Sequence, residues 1–381
     1  MFFVSLIVSL SPVMVSAADS VPSGAKHIKT ADELAAIGGA QSAGEYYVLD
    51  NDINLNAEWR PIDDFRGTFD GQGHTINNLY VLEGNRPQFV GLFGRITASG
   101  TAIKNVGVNI GSKGIATSSI ATYATVCAGG LVGYGDVTIT NCYVKGDVSA
   151  AASGYGSHAA AGGLIGYGNG IITKCYVSGD ITATASDSAS SAKAGGLIGY
   201  GGRTFTNCYV TGDVTAKSSA SSAYAGGLLG QNSVTGITAT NCYVTGGITA
   251  SASGNARAGD LIGYDNIAVK SCYRLSTQKI TGDTVNTLGD ALSSSEMKNQ
   301  QSFAGWDFEA IWAIKSNVNN GYPYLKDSPS SSGKSSSDGS SSGGSSTDGL
   351  SPLGNPLVIA GVASIAAVAI IAAVVFMKKR K

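Results

Sequence analysis

Residues 130–134 read Gly-Leu-Val-Gly-Tyr, and this stretch decides the fold because close copies of it recur along the chain. The copies begin at Gly163, Gly196, Gly227 and, with Asp replacing the first Gly, at Asp260. The second glycine advances by 33, 33, 31 and 33 residues from one copy to the next, and an outlying Gly-Leu-Phe-Gly lies at 91–94. A period of this length predicts an array of stacked structural repeats.

A second motif keeps step with the first. Each repeat carries a Cys-Tyr pair: Cys142–Tyr143, Cys175–Tyr176, Cys208–Tyr209, Cys242–Tyr243 and Cys272–Tyr273. Between the motifs, short apolar runs are separated by Gly and Asp turns, and no repeat has a helical period. A unit this small cannot bury its apolar side chains alone, whereas stacked units pair each strand in parallel with its copy one coil away. The repeats therefore predict an all-β fold, a parallel β-helix.

Stacking should align identical residues into rows. We expect Leu131 and its copies to form one inward row and the repeated cysteines another. Ile139, Ile172 and Phe205 each lie three residues before a Cys, a spacing that strict alternation would place on the opposite face. A bend at the intervening Asn or Thr would turn both residues inward, since Asn tolerates a left-handed backbone.

The Gly-Leu-hydrophobic-Gly unit followed by Asn-Cys-Tyr resembles the GLUG-motif repeats of bacterial and archaeal surface proteins. The resemblance covers roughly residues 90–275, and the flanks at 67–76 and 306–325 are similar to the opening and closing segments of such proteins. It implies a right-handed β-helix of the kind found in adhesin-like proteins and beside the protease domain of some immunoglobulin A peptidases. Only His27, His74 and His158 exist and no His-Glu-x-x-His occurs, so no zinc-peptidase activity carries over.

Both ends of the chain predict export and membrane attachment. Residues 2–15 are almost entirely apolar and small residues follow at 15–17, so we expect a signal peptide over residues 1–17. Residues 356–377 form one uncharged, mostly apolar segment, long enough for a transmembrane α-helix. The basic residues 378–381 then lie in the cytoplasm and the repeats outside the cell. The predicted protein is therefore a single-pass protein of the cell membrane.

The remaining segments complete the predicted organisation. An N-terminal cap and first coil occupy residues 18–90, the repeats 91–280 and a C-terminal cap 281–326. The Ser/Gly-rich residues 327–355 have nothing to bury and predict a flexible stalk. Without the four tail cations the formal net charge is −5, and no basic stripe exists, so nucleic acid is not an expected partner.

Two caps are expected because a solenoid would otherwise expose apolar coil faces at its ends. Thr30 has the features of an N-cap residue, and Glu33 stands at capping-box spacing. A short helix here should close the first coil. The Trp- and Tyr-rich segment 303–325 is expected to do the same at the other end.

The cysteines do not clearly predict a disulfide framework. Six cysteines in an exported chain invite disulfides. However, residues repeated once per coil have parallel Cβ directions, which suit a disulfide poorly. We favour free, buried cysteines that behave as small hydrophobic residues. No cofactor and no metal ion are expected.

Carboxylates supply the alternative, an enzyme acting on polysaccharides as a lyase or glycosidase. The densest group is Asp63, Asp64 and Asp70, with Arg66 and His74 beside them in sequence. Glycosidases need two carboxyl groups at a defined separation. Here the aspartates sit in turn sequences, and a structural role is favoured. A row formed by Asp147, Asp180 and Asp213 would suit calcium or, more simply, the hydrogen bonding of turns.

The tyrosines are the best candidates for binding. The first tyrosine row comprises Tyr143, Tyr176, Tyr209, Tyr243 and Tyr273, and the second comprises Tyr134, Tyr167, Tyr200 and Tyr264. A solvent-facing row would suit sugars or protein surfaces, whereas a covered one would only stabilise the sheet. We predict a non-enzymatic surface protein, adhesin-like or structural. Its partners are expected to be the membrane and glycans or proteins of other cells or of the envelope.

Overall fold

The computed structural model describes residues 20–82, 88–264 and 267–329. The predicted signal peptide, transmembrane helix and basic tail, and nearly all of the predicted stalk, lie outside the described residues. Within the described part of the chain, no helix has the length and apolar character needed to cross a bilayer.

The described chain is a parallel β-solenoid, as the repeats predict, and it has about six complete turns. One coil runs through five strands, for example His158–Gly162, Ile165–Gly168, Gly170–Thr173, Tyr176–Ser178 and Ile181–Ala185. Each strand pairs in parallel with its copies in the coils before and after it. The coils thereby build four sheets around one apolar interior.

Sheet 1 contains Lys26–Ile28, Tyr46–Leu49, Thr68–Asp70, Ala102–Lys104, Val137–Thr140, Gly170–Thr173, Thr204–Thr206, Thr238–Thr240 and Ala268–Lys270. Sheet 2 contains Ile53–Asn54, Thr75–Val81, Gly107–Ser119, Tyr143–Lys145, Val148–Ala152, Tyr176–Ser178, Ile181–Ala185, Tyr209–Val210, Val214–Ser218, Tyr243–Val244, Ile248–Ser251, Tyr273–Leu275, Ile280–Thr281 and Asp290–Leu292. Sheet 3 contains Phe93–Arg95, Val132–Tyr134, Ile165–Gly168, Ile198–Gly201, Leu229–Asn232 and Ile262–Tyr264. Sheet 4 contains Phe89–Val90, Thr125–Gly129, His158–Gly162, Ser191–Gly195, Ser222–Gly226, Asn255–Gly259 and Thr284–Asn286.

The interior is built from the predicted rows. Leu131 and its copies are fully buried, and the repeated cysteines lie in the same core. All six cysteines are buried and free, and the Sγ of Cys175 lies 3.2 Å from the carbonyl oxygen of Thr173. The motif glycines are needed because the coils approach closely here. A Cβ on Gly163 would lie 2.2 Å from the carbonyl oxygen of Gly196.

The predicted bend before each cysteine is confirmed. Asn141 has a φ of 54° and Asn207 one of 53°, both in the left-handed region, and Lys174 has the same conformation at 52°. The bend lets Ile139 and Cys142 both point into the core. Asparagine side chains also bond along the stack, since Asn141 Nδ2 donates to Asn105 Oδ1 at 2.9 Å.

The short helix predicted after Thr30 is present. A helix spans Ala31–Ala35, and Thr30 and Glu33 form a complete capping box. Leu34 on this helix is fully buried in the main core, so the helix covers the first coil. A 3₁₀ turn follows at Ala40–Ser42.

The C-terminal segment, predicted as an end lid, packs on the last coil and also over coils that precede it. It contains 3₁₀ turns at Glu296–Lys298, Gln300–Ser302 and Asn319–Gly321, and an antiparallel pair of strands, Trp312–Ala313 and Tyr324–Leu325. Trp312 packs against Tyr209 and Tyr243, in coils that precede the last one. The segment therefore lies along the outer side of sheet 2. The aromatic side chains that sheet 2 presents there are the apolar surface that it buries.

Candidate functional site

The first tyrosine row stacks as predicted but is covered. Ring centroids of Tyr143, Tyr176 and Tyr209 follow one another at 4.9 and 4.7 Å, and the last two rings lie within 2° of parallel. Every ring of the row is buried, Tyr243 completely, and residues 303–312 pack against the rings of Tyr209, Tyr243 and Tyr273. The Tyr243 hydroxyl donates to the carbonyl oxygen of Pro323 at 2.7 Å, and burial raises its pKa. The row thus lacks the solvent-facing rings on which a ligand-binding role depended.

The second tyrosine row, in contrast, remains partly exposed. Tyr134, Tyr167 and Tyr200 lie in three successive strands of sheet 3, in register. Their ring centroids are 5.0 and 4.7 Å apart, and the rings are tilted by 71° and 48° to one another. Tilting leaves hydroxyl groups and ring edges available to a ligand, while neighbouring rings still support each other.

Two further aromatic residues extend this row into what we call the aromatic strip: Phe89, Tyr134, Tyr167, Tyr200, Tyr224 and Tyr264. The ring of Phe89 lies 4.9 Å from that of Tyr134. In the coil where Gln231 takes the tyrosine position of sheet 3, Tyr224 from the adjacent strand of sheet 4 packs 5.0 Å from Tyr264. All six side chains of the strip are partly exposed.

Cations accompany the strip because one column of sheet 4 also points away from the core. Cys127, Ala160, Lys193, Tyr224 and Arg257 occupy this column in successive coils. The Lys193 Nζ lies 4.9 Å from the Tyr200 ring centroid, and the Arg257 guanidinium lies 4.6 Å from that of Tyr264. At the other end, Arg95 is the register partner of Tyr134.

Lys193 belongs to a short polar chain across two coils. Its Nζ donates to Ser191 Oγ at 2.7 Å, and Ser191 Oγ lies 2.7 Å from His158 Nδ1. Burial lowers the pKa of Lys193 to about 8, and burial together with the Lys193 charge lowers that of His158. The Ser–His contact resembles a nucleophile with its base, but Ser191 is only 8% exposed. A substrate could reach this oxygen only after the surrounding side chains moved.

A cleft of about 220 Å³ adjoins the N-terminal end of the strip. It is lined by Arg60, Pro61, Asp63, Phe89, Gly94 and Arg95. The Asp63 side chain is 64% exposed, and its carboxylate lies 3.7 Å from the Arg95 Nε. The cleft therefore offers two guanidinium groups and one carboxylate beside an aromatic ring.

The other carboxylates of the enzymatic alternative serve the fold. Asp64 accepts two hydrogen bonds from Arg66, at 3.1 and 2.6 Å, which hold its pKa below the ordinary value. Asp70 is buried and accepts hydrogen bonds from Tyr46, Gln72 and Asn105. His74 instead faces Asp52, at 3.4 Å. These groups therefore have separate structural partners.

The predicted aspartate row bonds from coil to coil. The backbone N–H of Asp180 donates to Asp147 Oδ1 at 2.9 Å, and that of Asp213 donates to Asp180 Oδ1 at 3.0 Å. Burial, with the two neighbouring charges, raises the pKa of Asp180. Throughout residues 20–82, 88–264 and 267–329, no three His, Cys, Asp or Glu side chains converge as a metal site would require.

Sequence reasoning named four of the six strip residues but missed Phe89, Tyr224 and the adjacent cations. A signal for them existed. The residue two places before each Gly-Gly or Gly-Asp pair of the repeat varies, while its neighbours stay nearly constant as Ala; it is Cys127, Ala160, Lys193, Tyr224 or Arg257. Because the flanking residues hardly change between repeats, the variation at this position indicates that core packing does not restrict its side chain.

Comparisons with known proteins agree with this architecture. The model of the GLUG motif matches residues 124–149 and 157–182, which confirms the resemblance for two repeats. No curated protein matches the chain significantly. Among solved structures, the chain is similar to a "putative immunoglobulin A1 protease" from Bacteroides ovatus, with a TM-score of 0.54 and 21% identity, covering 79% of this chain and 92% of that one. At this identity the similarity shows the fold alone.

Proposed function

We propose that this chain, a parallel β-solenoid that carries the GLUG motif, is a non-catalytic cell-surface protein that binds glycans along the aromatic strip. The observation that carries the proposal is the outward, partly exposed run of rings, whose nearest members lie about one coil spacing apart. Aromatic rings with hydroxyl groups suit sugars, which present apolar C–H faces edged by hydroxyls.

Location at the cell surface is part of the proposal and rests on the sequence. The predicted signal peptide would export the chain, and the predicted transmembrane segment at 356–377 would retain it at the membrane. The Ser/Gly-rich stretch between repeats and membrane would then act as a spacer. In this arrangement the strip faces the outside of the cell.

The enzymatic alternative, a polysaccharide lyase or glycosidase, has less support. Asp64 and Asp70 are engaged by Arg66 and by a buried hydrogen-bond network, respectively. Asp63 alone stays open, in the cleft beside the strip. Protease activity, which the name of the Bacteroides ovatus protein suggests for that protein, has no His-Glu-x-x-His motif to support it here.

The test is binding of the full-length chain to a panel of glycans, with retention and cleavage scored separately. We expect retention without cleavage. A variant carrying both Tyr167→Ala and Tyr200→Ala should lose most of the retention, because it removes adjacent rings from the centre of the strip. Tyr155→Ala is the matched control, since Tyr155 is 50% exposed and lies outside the strip.

Shortened or unsaturated oligosaccharides would overturn the non-catalytic proposal and direct attention to Asp63. Retention that survives the double substitution would place binding elsewhere on the chain. Circular dichroism of each variant must match the unaltered chain before either result is interpreted.

A further inference from the structure

We propose that the glycan bound along the aromatic strip is an anionic polysaccharide, whose carboxylate or sulfate groups are attracted by Lys193 and Arg257. The inference rests on the proposed function, since it names the ligand class of the same surface. It goes further by assigning roles to side chains that are not tyrosines.

The first step is the charge of Lys193. Its side chain is 7% exposed, and no described carboxylate forms a salt bridge with it. Its contacts are the Ser191 hydroxyl and the Tyr200 ring, which satisfy the ammonium group only in part. A buried charge without a counter-ion is costly, and an anion arriving at the strip would offset that cost.

The second step is Arg257, which repeats the pattern two coils away. Its guanidinium lies on the Tyr264 ring and, within the described part of the chain, has no carboxylate partner. Stacking on a ring holds the guanidinium plane in place and leaves its N–H groups free for a planar acid group. Lys193 and Arg257 therefore present the same combination of a cation on a tyrosine.

The third step is the regular spacing. Lys193, Tyr224 and Arg257 are register partners in consecutive strands of sheet 4. Two coils separate the cations, which corresponds to about 10 Å along the stack. A surface with a fixed repeat suits a polymer with its own repeat, whereas the surface of a folded protein has no such periodicity. The observations thus favour a charged polysaccharide over a protein partner.

The acids near the strip form no described ion pair with Lys193 or Arg257. Asp63 lies at the N-terminal end, where its carboxylate pairs with Arg95 in the cleft that Arg60 also lines. Burial raises the pKa of Tyr167, and the charge of Asp136 contributes to this rise. The Asp136 carboxylate accepts hydrogen bonds from the backbone and side chain of Asn169. The strip therefore keeps two cations without a described carboxylate partner, Lys193 in its middle and Arg257 near one end.

The experiment compares polymers that differ only in charge. The full-length chain is tested for binding to polygalacturonate and to its fully methyl-esterified form, and to dextran sulfate and dextran. We expect binding to a charged member of one or both pairs, with affinity falling as salt rises from 20 to 500 mM. The two pairs separate carboxylate from sulfate recognition.

Variants assign the effect to the strip. Arg257→Gln should weaken binding of the charged polymer about five-fold, as expected for one partly exposed ion pair, and Lys193→Met should weaken it as well. Retention of a neutral glycan should fall less in either variant than binding of the charged polymer does. Lys217→Gln removes an exposed cation from sheet 2 and should leave both affinities unchanged.

Equal binding of the charged and neutral members of each pair would overturn the inference while leaving the proposed function in place. Loss of affinity in Lys217→Gln equal to that in Arg257→Gln would also overturn it, because the attraction would then be nonspecific. Failure to retain any glycan, charged or neutral, would overturn the proposed function as well.

Discussion

The carboxylate of Asp260 accepts a hydrogen bond from the backbone N–H of Gly289, with 2.8 Å between Oδ2 and N. Its other oxygen accepts from the N–H groups of Leu261 and Leu288, at 2.7 and 2.9 Å. Earlier repeats have glycine at this position, where the next coil leaves no room for a side chain. The change from Gly to Asp in the last copy of the motif therefore has a structural role. The buried Asp260 carboxylate accepts the hydrogen bonds of these three backbone N–H groups.

Replacing this carboxylate should loosen the C-terminal end of the stack. We expect Asp260→Gly to lower the free energy of unfolding by about 3 kcal/mol, because three backbone donors lose their acceptor. Asp260→Asn should cost less, since its amide oxygen can still accept. Urea denaturation of both variants measures the difference. A glycine variant as stable as the unaltered chain would show that the last coil satisfies its backbone without Asp260.

Trp312 should hold the C-terminal segment on sheet 2. Its side chain is fully buried, and its ring lies 6.1 Å from that of Tyr209 and 4.3 Å from that of Trp306. Trp312→Ala should cost about 3–5 kcal/mol locally. Hydrogen exchange should then accelerate across 303–325, while the Leu131 row stays protected. Phe308→Ala, at a half-buried position of the same segment, is the control and should have a smaller effect. Unchanged exchange across 303–325 would contradict this role.

Lys193 predicts a pH dependence of stability with a definite sign. Its pKa falls from 10.5 to about 8 on folding because the side chain is buried. Between these values the unfolded chain binds more protons than the folded one, so stability rises with pH across this window. Below pH 8, burial of the protonated Lys193 amine lowers the free energy of unfolding by about 3 kcal/mol. His158, Ser191, Tyr200 and Cys127 surround the amine.

The variant that tests this is Lys193→Met. We expect it to be more stable than the unaltered chain at pH 7 and to lose the added rise in stability between pH 8 and 10.5. Unfolding free energies measured at half-unit pH steps give the difference between the two chains. A difference that stays constant with pH would mean that the amine keeps its ordinary pKa in the folded state.

Lys174 interrupts the row of asparagines at the bend and should be improvable. It has a φ of 52°, a conformation that Asn tolerates better than Lys. Lys174→Asn should raise the free energy of unfolding by about 1 kcal/mol, and its amide could join Asn141 and Asn207 in one row. Lys174→Gln keeps a polar side chain without the same tolerance and should bring no gain. Thermal unfolding midpoints of the three chains decide the matter.

Asp180 stands between two like charges and should be slightly destabilising when ionised. Burial and the charges of Asp147 and Asp213 raise its pKa, so the penalty appears as pH rises through its folded pKa. Asp180→Asn should stabilise the chain at pH 7 by about 0.3 kcal/mol, less at high salt, because the side chain is exposed. Millimolar calcium should leave the thermal midpoint of the unaltered chain unchanged. A rise with calcium but not magnesium would instead indicate a cation bound by the aspartate row.

The repeat frame made most of the fold predictable. The spacing of Gly-Leu-hydrophobic-Gly and Cys-Tyr fixed which residues stack, and parallel stacking of identical residues has one register. The left-handed bend before Cys142 and the capping box at Thr30 were also predictable from local chemistry. Asn tolerates a left-handed backbone, and Thr and Glu side chains accept hydrogen bonds from the first N–H groups of a helix.

The non-repeated residues were less predictable for a physical reason. The position of Trp312 depends on which apolar surface it can cover, and the repeats offered an end face and the first tyrosine row as competitors. For the same reason, the sequence did not predict which of the two tyrosine rows would be exposed. Stacking fixes the spacing of the rings but not whether another segment covers them. Lys193 and Arg257 escaped notice because their significance arises only when sheets 3 and 4 meet at a corner.

Because Gly163, Gly196 and Gly227 begin coils that are nearly interchangeable, the protein can change length by whole coils. Removing residues 163–195 would join strands that already present the same register, and every inward row would close up by one member. Recombination between the repeated stretches of the coding sequence would produce such changes directly, in steps of about 4.8 Å. The length of the solenoid and the number of rings in the strip would then be inherited together, as a single count of repeats.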